Sequence, residues 1–138
     1  MESFADGRLA TEHKLLEELP KLSDLHCAWT LLNQSAVLRA NHTIRILPPS
    51  LSESYARKHD EAICQTFCKV FGAGSLVTDV LARNVATLPG RLGGLGLRSA
   101  LRTAPAAYWA SWLNALPVFA SKMPNFCTWV LDELGTGS

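Results

Sequence analysis

The chain carries little net charge, and over much of its length it carries no acid at all. Its 13 Lys and Arg nearly balance its 12 Asp and Glu, leaving +1. That balance excludes a strongly basic domain recognisable by composition alone. It also lacks a long apolar run. The longest uncharged stretch, residues 103–121, is interrupted by Pro105 and Pro117. What remains is shorter than the roughly 20 residues a helix needs to cross a bilayer, so no membrane contact is expected. There is no Gly-x-Ser-x-Gly turn to raise a nucleophile and no lysine-bearing glycine loop to cradle a phosphate. Outside a glycine-rich segment, period-two alternation is absent, and so are internal repeats and linker-like stretches, which leaves one mostly helical unit. The opening MESFADGRLATEHK is charged and has no apolar core, so no secretory signal is expected. Cys27, Cys64, Cys68 and Cys127 are then expected to be reduced, and the sequons at Asn33 and Asn41 unused, in an intracellular (nuclear or cytoplasmic) chain.

What the chain does have is a core and an uneven charge distribution. At 138 residues and 48% hydrophobic it is expected to be a single helical domain over 1–138. Residues 1–24 hold six acids and three bases; residues 80–131 hold Arg83, Arg91, Arg98, Arg102 and Lys122 and no acid. Such asymmetry suits either a polyanion-facing half or a buried half whose few cations reach solvent. Phe4, Leu9, Leu15, Leu16 and Leu19 predict an amphipathic first helix ending at Pro20, with Phe4 in the core. Ser23 or Asp24 can cap a second helix that stops before Pro48-Pro49. Ser50-Leu-Ser-Glu53 reads as a capping box for a third helix ending at Gly72 or Gly74. A fourth runs from Ser75 to Thr87. Residues 88–97, with Gly90, Gly93, Gly94 and Gly96, are irregular, with a short hairpin expected around 92–97. The chain restarts as a helix at Ser99 or Thr103, is broken by Pro117, and ends in a helix over 125–134. The fold class is therefore all-α: a bundle of five or six helices with a short Gly-rich irregular segment.

Several patterns bear on chemistry. Gly94-Leu-Gly96-Leu-Arg-Ser99 is a partial dinucleotide fingerprint. It lacks the preceding strand, the third glycine and an acid some twenty residues on, so it reads as a structural turn. Arg98 and Arg102, four apart, share a helix face and are candidates for gripping phosphate, or else solubilise an apolar helix. Cys64 and Cys68 with His59, His26 and Cys27 could form a zinc set, but the spacing is unlike a zinc ribbon and core cysteines are the better reading. Phe4-Ala-Asp6-Gly7 looks like the aromatic-x-Asp-Asp turn of template-copying polymerases, but glycine stands in place of the second acid, no metal-binding partner is evident and the segment runs straight into a helical pattern, so it reads as coincidence. His59-Asp60-Glu61 sets up no nucleophile. Neither a metal nor a cofactor is expected. Arg39, His42 and Arg45, three apart, form a basic stripe suited to a phosphate backbone, or simply a solvated face. Tyr108, Trp109 and Trp112 read first as core, then as base-stacking rings or an interface with a missing part of a larger protein.

One order of motifs carries a resemblance. TEHKLLEELP is followed by DLHCAWTLLNQSAVLRANHTIR, a proline turn, YARKHDEAI, ATLPGRLGGLGLRSA and APAAYWASW. From about Phe4 to Phe119 this resembles the region downstream of the palm in reverse-transcriptase-like proteins of non-LTR retroelements. The resemblance implies thumb-like helices that hold template and primer, with Arg39, Asn41 and Arg45 as duplex contacts and the glycine block with Arg98 as a junction. It also implies that the catalytic carboxylates lie upstream, so the chain is a non-catalytic fragment and not itself an enzyme. Its expected partners are an RNA/DNA duplex backbone and a missing palm domain, or a second copy through Trp109 and Trp112. The alternative is a helical protein-interaction module without a nucleic-acid role.

Overall fold

The computed structural model describes residues 2–136, without the side chains of residues 2, 3, 75, 134 and 136. Every regular element in it is helical. Helix α1 (Glu2–Glu18) continues into a 3-10 turn, and α2 (Leu25–Leu31) passes through a π turn and a 3-10 turn into α3 (Ala40–Ile46). Then come α4 (Pro49–Phe71), the short α5 (Ser75–Thr78), α6 (Val80–Thr87), α7 (Ala100–Lys122) and α8 (Pro124–Thr136). Taking α2–α3 and α5–α6 each as one path gives the six-helix end of the expected all-α bundle.

Helix α4 organises the rest. Its buried residues Ser52, Tyr55, Ala56, His59, Ala62, Ile63, Thr66 and Phe67 recur at helical spacing. Residues 5–9 of α1 lie beside 50–58, and residues 13–20 beside 62–69, so α1 and α4 run parallel. Two apolar clusters form along this pair. Ala5, Leu9, Ala40, Ile44, Ala56, Ala100 and Ala104 make one, where α3 and the start of α7 pack on α4. Leu16, Leu19, Leu32, Val37, Ile63, Phe67, Ala86 and Leu97 make the other. Phe4 does not join them. It is 46% exposed, with the Arg8 guanidinium over its ring. The position facing α4 belongs to the next residue, Ala5, instead.

Several boundaries differ from expectation for local reasons. Asp24 rather than Ser23 caps α2, accepting from the His26 and Cys27 N–H groups. Pro49 opens α4 without a side-chain cap, so the Ser50–Glu53 box is not formed; proline needs no donor satisfied at that point. Asp79 splits the expected fourth helix by capping α6 through Leu81 and Ala82. Pro117 does not break α7. The carbonyl it deprives of a donor is that of Leu113, which lies on the solvent side, where water can serve it.

The glycine segment is a loop folded back on the end of α6, and no strand forms among the described residues. The N–H groups of Leu95 and Leu97 both donate to the Ala86 carbonyl, and that of Gly96 donates to Leu88 at 2.8 Å. This closure carries the buried Leu97 into the core. Gly93 and Gly96 hold positive φ angles of 79° and 69°, which side chains resist. At Gly94 a Cβ would overlap the Leu88 carbonyl and side chain, whereas at Gly90 it would meet nothing. Gly94→Ala is therefore expected to cost about 1–3 kcal/mol, whereas Gly90→Ala is expected to stabilise by about 0.4–1 kcal/mol. Thermal melts of both variants followed by circular dichroism check the difference.

Candidate nucleic-acid interface

The five predicted contact residues fall into two groups. Arg39 ends the 3-10 turn before α3, and Asn41 and Arg45 lie within α3; all three are exposed, as is His42 between them. The opposite side of α3, with Ala40, Thr43 and Ile44, is buried against α4 and α7. The amphipathic split, not a cap, thus sets which edge faces solvent. Arg39 to Arg45 covers about 9 Å along the helix axis at 1.5 Å per residue. Arg45 also flanks a cleft formed with Ile46, Tyr108, Ser111, Trp112 and Phe119.

Arg98 and Arg102 lie elsewhere. They line a different cleft, of about 260 Å³, with Arg57, Arg83 and two acids, Asp60 and Glu61. The structure does not bring these arginines into line with the α3 stripe. The anion favoured at the start of α7 is already supplied from within the protein. The Asp60 carboxylate accepts from the Ala100 N–H at 2.8 Å, the Leu101 N–H at 3.1 Å and the Ser99 hydroxyl at 2.7 Å. Ser99 in turn caps Arg102 N–H. Arg83 donates to Glu61 at 3.0 Å and to the Leu76 and Val77 carbonyls, and so fastens α5 and α6 to α4. Arg102 donates to the Thr87 hydroxyl at 3.2 Å. Arg83 and Arg102 serve the fold through these bonds, while Arg98 is exposed.

Sequence reasoning missed the polar layer between the two apolar clusters. Glu12, 5% exposed, accepts from the Tyr55 hydroxyl at 2.5 Å and from His59 Nδ1 at 2.7 Å. A carboxylate only accepts, so Nδ1 carries the proton. The His59 ring stacks on Tyr55, and Nε2 has no protein partner. Burial pushes the Glu12 carboxyl up, but the His59 and Tyr55 hydrogen bonds and the His59 and Arg39 charges outweigh it and hold it below its ordinary value. Tyr55 moves the other way, raised by burial and by Glu12. The signal was available: Leu9, Glu12, Leu16 and Leu19 share one face, which puts an acid in the apolar stripe. An acid there demands partners, and Tyr55 and His59, four apart, are the matching donors.

The cysteines do not come together as a set of metal ligands among the described residues. Cys27 is exposed, Cys64, Cys68 and Cys127 are half-buried, and none is bonded to another. Cys68 donates to the Ala73 carbonyl, and burial raises the Cys64 thiol, which disfavours the thiolate a metal needs. No group of three His, Cys, Asp or Glu able to hold a metal occurs among the described residues, His59 being turned to Glu12 instead. Nor is any described helix long and apolar enough to cross a membrane. A comparison with protein-family models, with curated proteins and with solved structures finds no match for the chain.

Glu12→Gln keeps the shape of the polar layer but removes its charge, and is expected to cost about 3 kcal/mol. The pH dependence has a definite sign. A carboxyl lowered from 4.5 contributes stability that is fully present above that value and is lost as pH falls through the folded value. Urea unfolding between neutral pH and about pH 3 should show this loss in the parent chain and a flatter profile in Glu12→Gln.

Proposed function

We propose that the chain is the non-catalytic, thumb-like segment that follows the palm of a reverse-transcriptase-like retroelement protein, and that its α3 edge lies along a nucleic-acid duplex backbone. The observation carrying this reading is the α3 stripe. Arg39, Asn41, His42 and Arg45 are all exposed, while the same short helix is anchored from behind by Ala40 and Ile44. A cationic edge fixed on a packed core meets phosphates with little ordering cost. Arg98 and Arg102, in their separate cleft, play at most an accessory part. The family assignment itself rests on the motifs from TEHKLLEELP to APAAYWASW.

A second reading, a protein-interaction module, is favoured by one specific observation. Beyond Ala104 no described residue is buried, although the segment is rich in Trp, Leu and Phe.

Gel shift with a DNA–RNA hybrid at low salt tests the first reading. Binding should weaken steeply with salt, and Arg39→Ala/Arg45→Ala should remove it and lower the log–log salt slope by about two. Arg98→Ala/Arg102→Ala should weaken binding less. Because the Arg39 charge also supports Glu12, circular dichroism of each variant is needed to establish that the fold persists. No binding by the folded parent chain at low salt overturns the reading.

A further inference from the structure

Resting on the duplex reading of the α3 stripe, we infer that the cleft between the end of α3 and the middle of α7 holds an unpaired base. The nucleic acid this chain fits is then a duplex that continues into a single strand. Arg45 belongs to both features. It closes the row that begins at Arg39, and it borders the cleft, whose volume is about 270 Å³. A strand whose phosphates follow α3 therefore arrives at the cleft.

The walls of the cleft suit a flat ring. Tyr108, Ser111, Trp112, Ala115 and Phe119 recur at helical spacing and form one face of α7. All five are half-buried. That separates them from Trp109, Leu113 and Val118, which stand exposed on the arm made by the second half of α7 and by α8. Ser111 and Ala115, being small, leave room beside the aromatic rings. Trp112 stands at 76° to Tyr108 and is inclined by 35° to Phe119, with centroids 6.4 Å apart in each case. Aromatic rings meet either offset-stacked or edge to face. Rings at such different angles let a base stack on one while its edge meets another. Every base has a π-face, so the cleft takes any base without reading sequence. Ser111 adds a hydroxyl that can donate to or accept from the base edge.

Charge favours a nucleotide over an apolar side chain as the occupant. No acid lines this cleft, and Arg45 sets a cation beside the rings. The two acids of the arm, Asp132 and Glu133, lie on α8 and outside it. The cleft at Arg98 and Arg102 differs on both counts, with Asp60 and Glu61 in its lining and no aromatic ring. An apolar side chain would use only the rings. A nucleotide uses both parts, its base on the rings and its phosphate on the guanidinium. The base must be unpaired, because within a duplex its faces are already covered by its neighbours.

Fluorescence anisotropy at low salt can compare three DNA–RNA hybrids: blunt, with a four-nucleotide DNA overhang, and with an abasic overhang of the same length. The abasic form keeps the added phosphates and lacks the bases. The overhang with bases should bind at least about fivefold more tightly than the abasic one. A 2-aminopurine at the first unpaired position should change its emission on binding. Trp112→Leu should remove the gain and keep the affinity for the blunt hybrid, while Arg45→Ala should weaken binding of all three. Trp129→Leu, at an exposed residue of α8 outside the cleft, should keep the gain. Equal affinity for the two overhangs, or a gain that survives Trp112→Leu, overturns the base site and leaves the α3 reading standing. Unchanged 2-aminopurine emission at saturation does the same, and needs no variant to fold. Failure to bind any of the three overturns both.

Discussion

Three successive side chains of α4, namely His59, Asp60 and Glu61, each hold a different part of the molecule. Consecutive helical residues point about 100° apart, so one tripeptide can address three neighbours. His59 turns inward to Glu12 on α1, Asp60 receives the N-terminus of α7, and Glu61 engages Arg83 on α6. Each link is a hydrogen bond with at least one charged partner, and such bonds are strict about distance and angle. Together they fix both the rotation of α4 and its position along its own axis. A shift of one residue would leave a buried acid unpaired on α1 and an uncapped helix at α7. The two apolar clusters on either side supply the driving force for folding, but apolar contacts alone tolerate sliding. The polar layer is what assigns a single register.

The parts of this fold that were legible in the sequence are those set by local chemistry. The apolar spacing on α4, the Asp24 and Ser99 caps and the turn at Gly72 can all be read within a few residues. The parts that were not legible depend on partners far along the chain. His59-Asp60-Glu61 looks idle in sequence because its partners lie about 47, 40 and 22 positions away. The glycine block gave its irregularity away, but not its form. Two carbonyls at the end of α6 close the loop, and nothing in the glycine pattern names them. On the candidate interface, the exposure of Arg39 and Arg45 followed from the apolar residues between them. The diversion of Arg102 to Thr87, by contrast, required the loop to be folded.

The acid-free second half takes on a particular meaning once Asp60 is in place. A helix N-terminus flanked by Arg98 and Arg102 would ordinarily draw an external anion. Here an internal carboxylate already accepts from the Ala100 and Leu101 N–H groups and from the Ser99 hydroxyl. The local acid deficit of α7 is thus made good by α4. The same logic separates the two arginine groups. Near the start of α7, Arg83 is held within the fold by Glu61 and two backbone carbonyls and Arg102 by the Thr87 hydroxyl, whereas on α3 only Arg39 has an internal acid near it, and that acid is buried. Net charge, being close to zero, conceals this division.

The arm of α7 and α8 carries the consequence further. A helix that crosses from a packed core into solvent would normally change composition at the crossing, gaining Lys, Glu and Arg on every exposed face. On α7 the core ends at Ala104, yet the residues after it become more apolar, not less. Dispersing that apolar length in water costs free energy which nothing else in the chain offsets. The composition of the arm is therefore consistent with the rest of the sequence only if its outer face is covered.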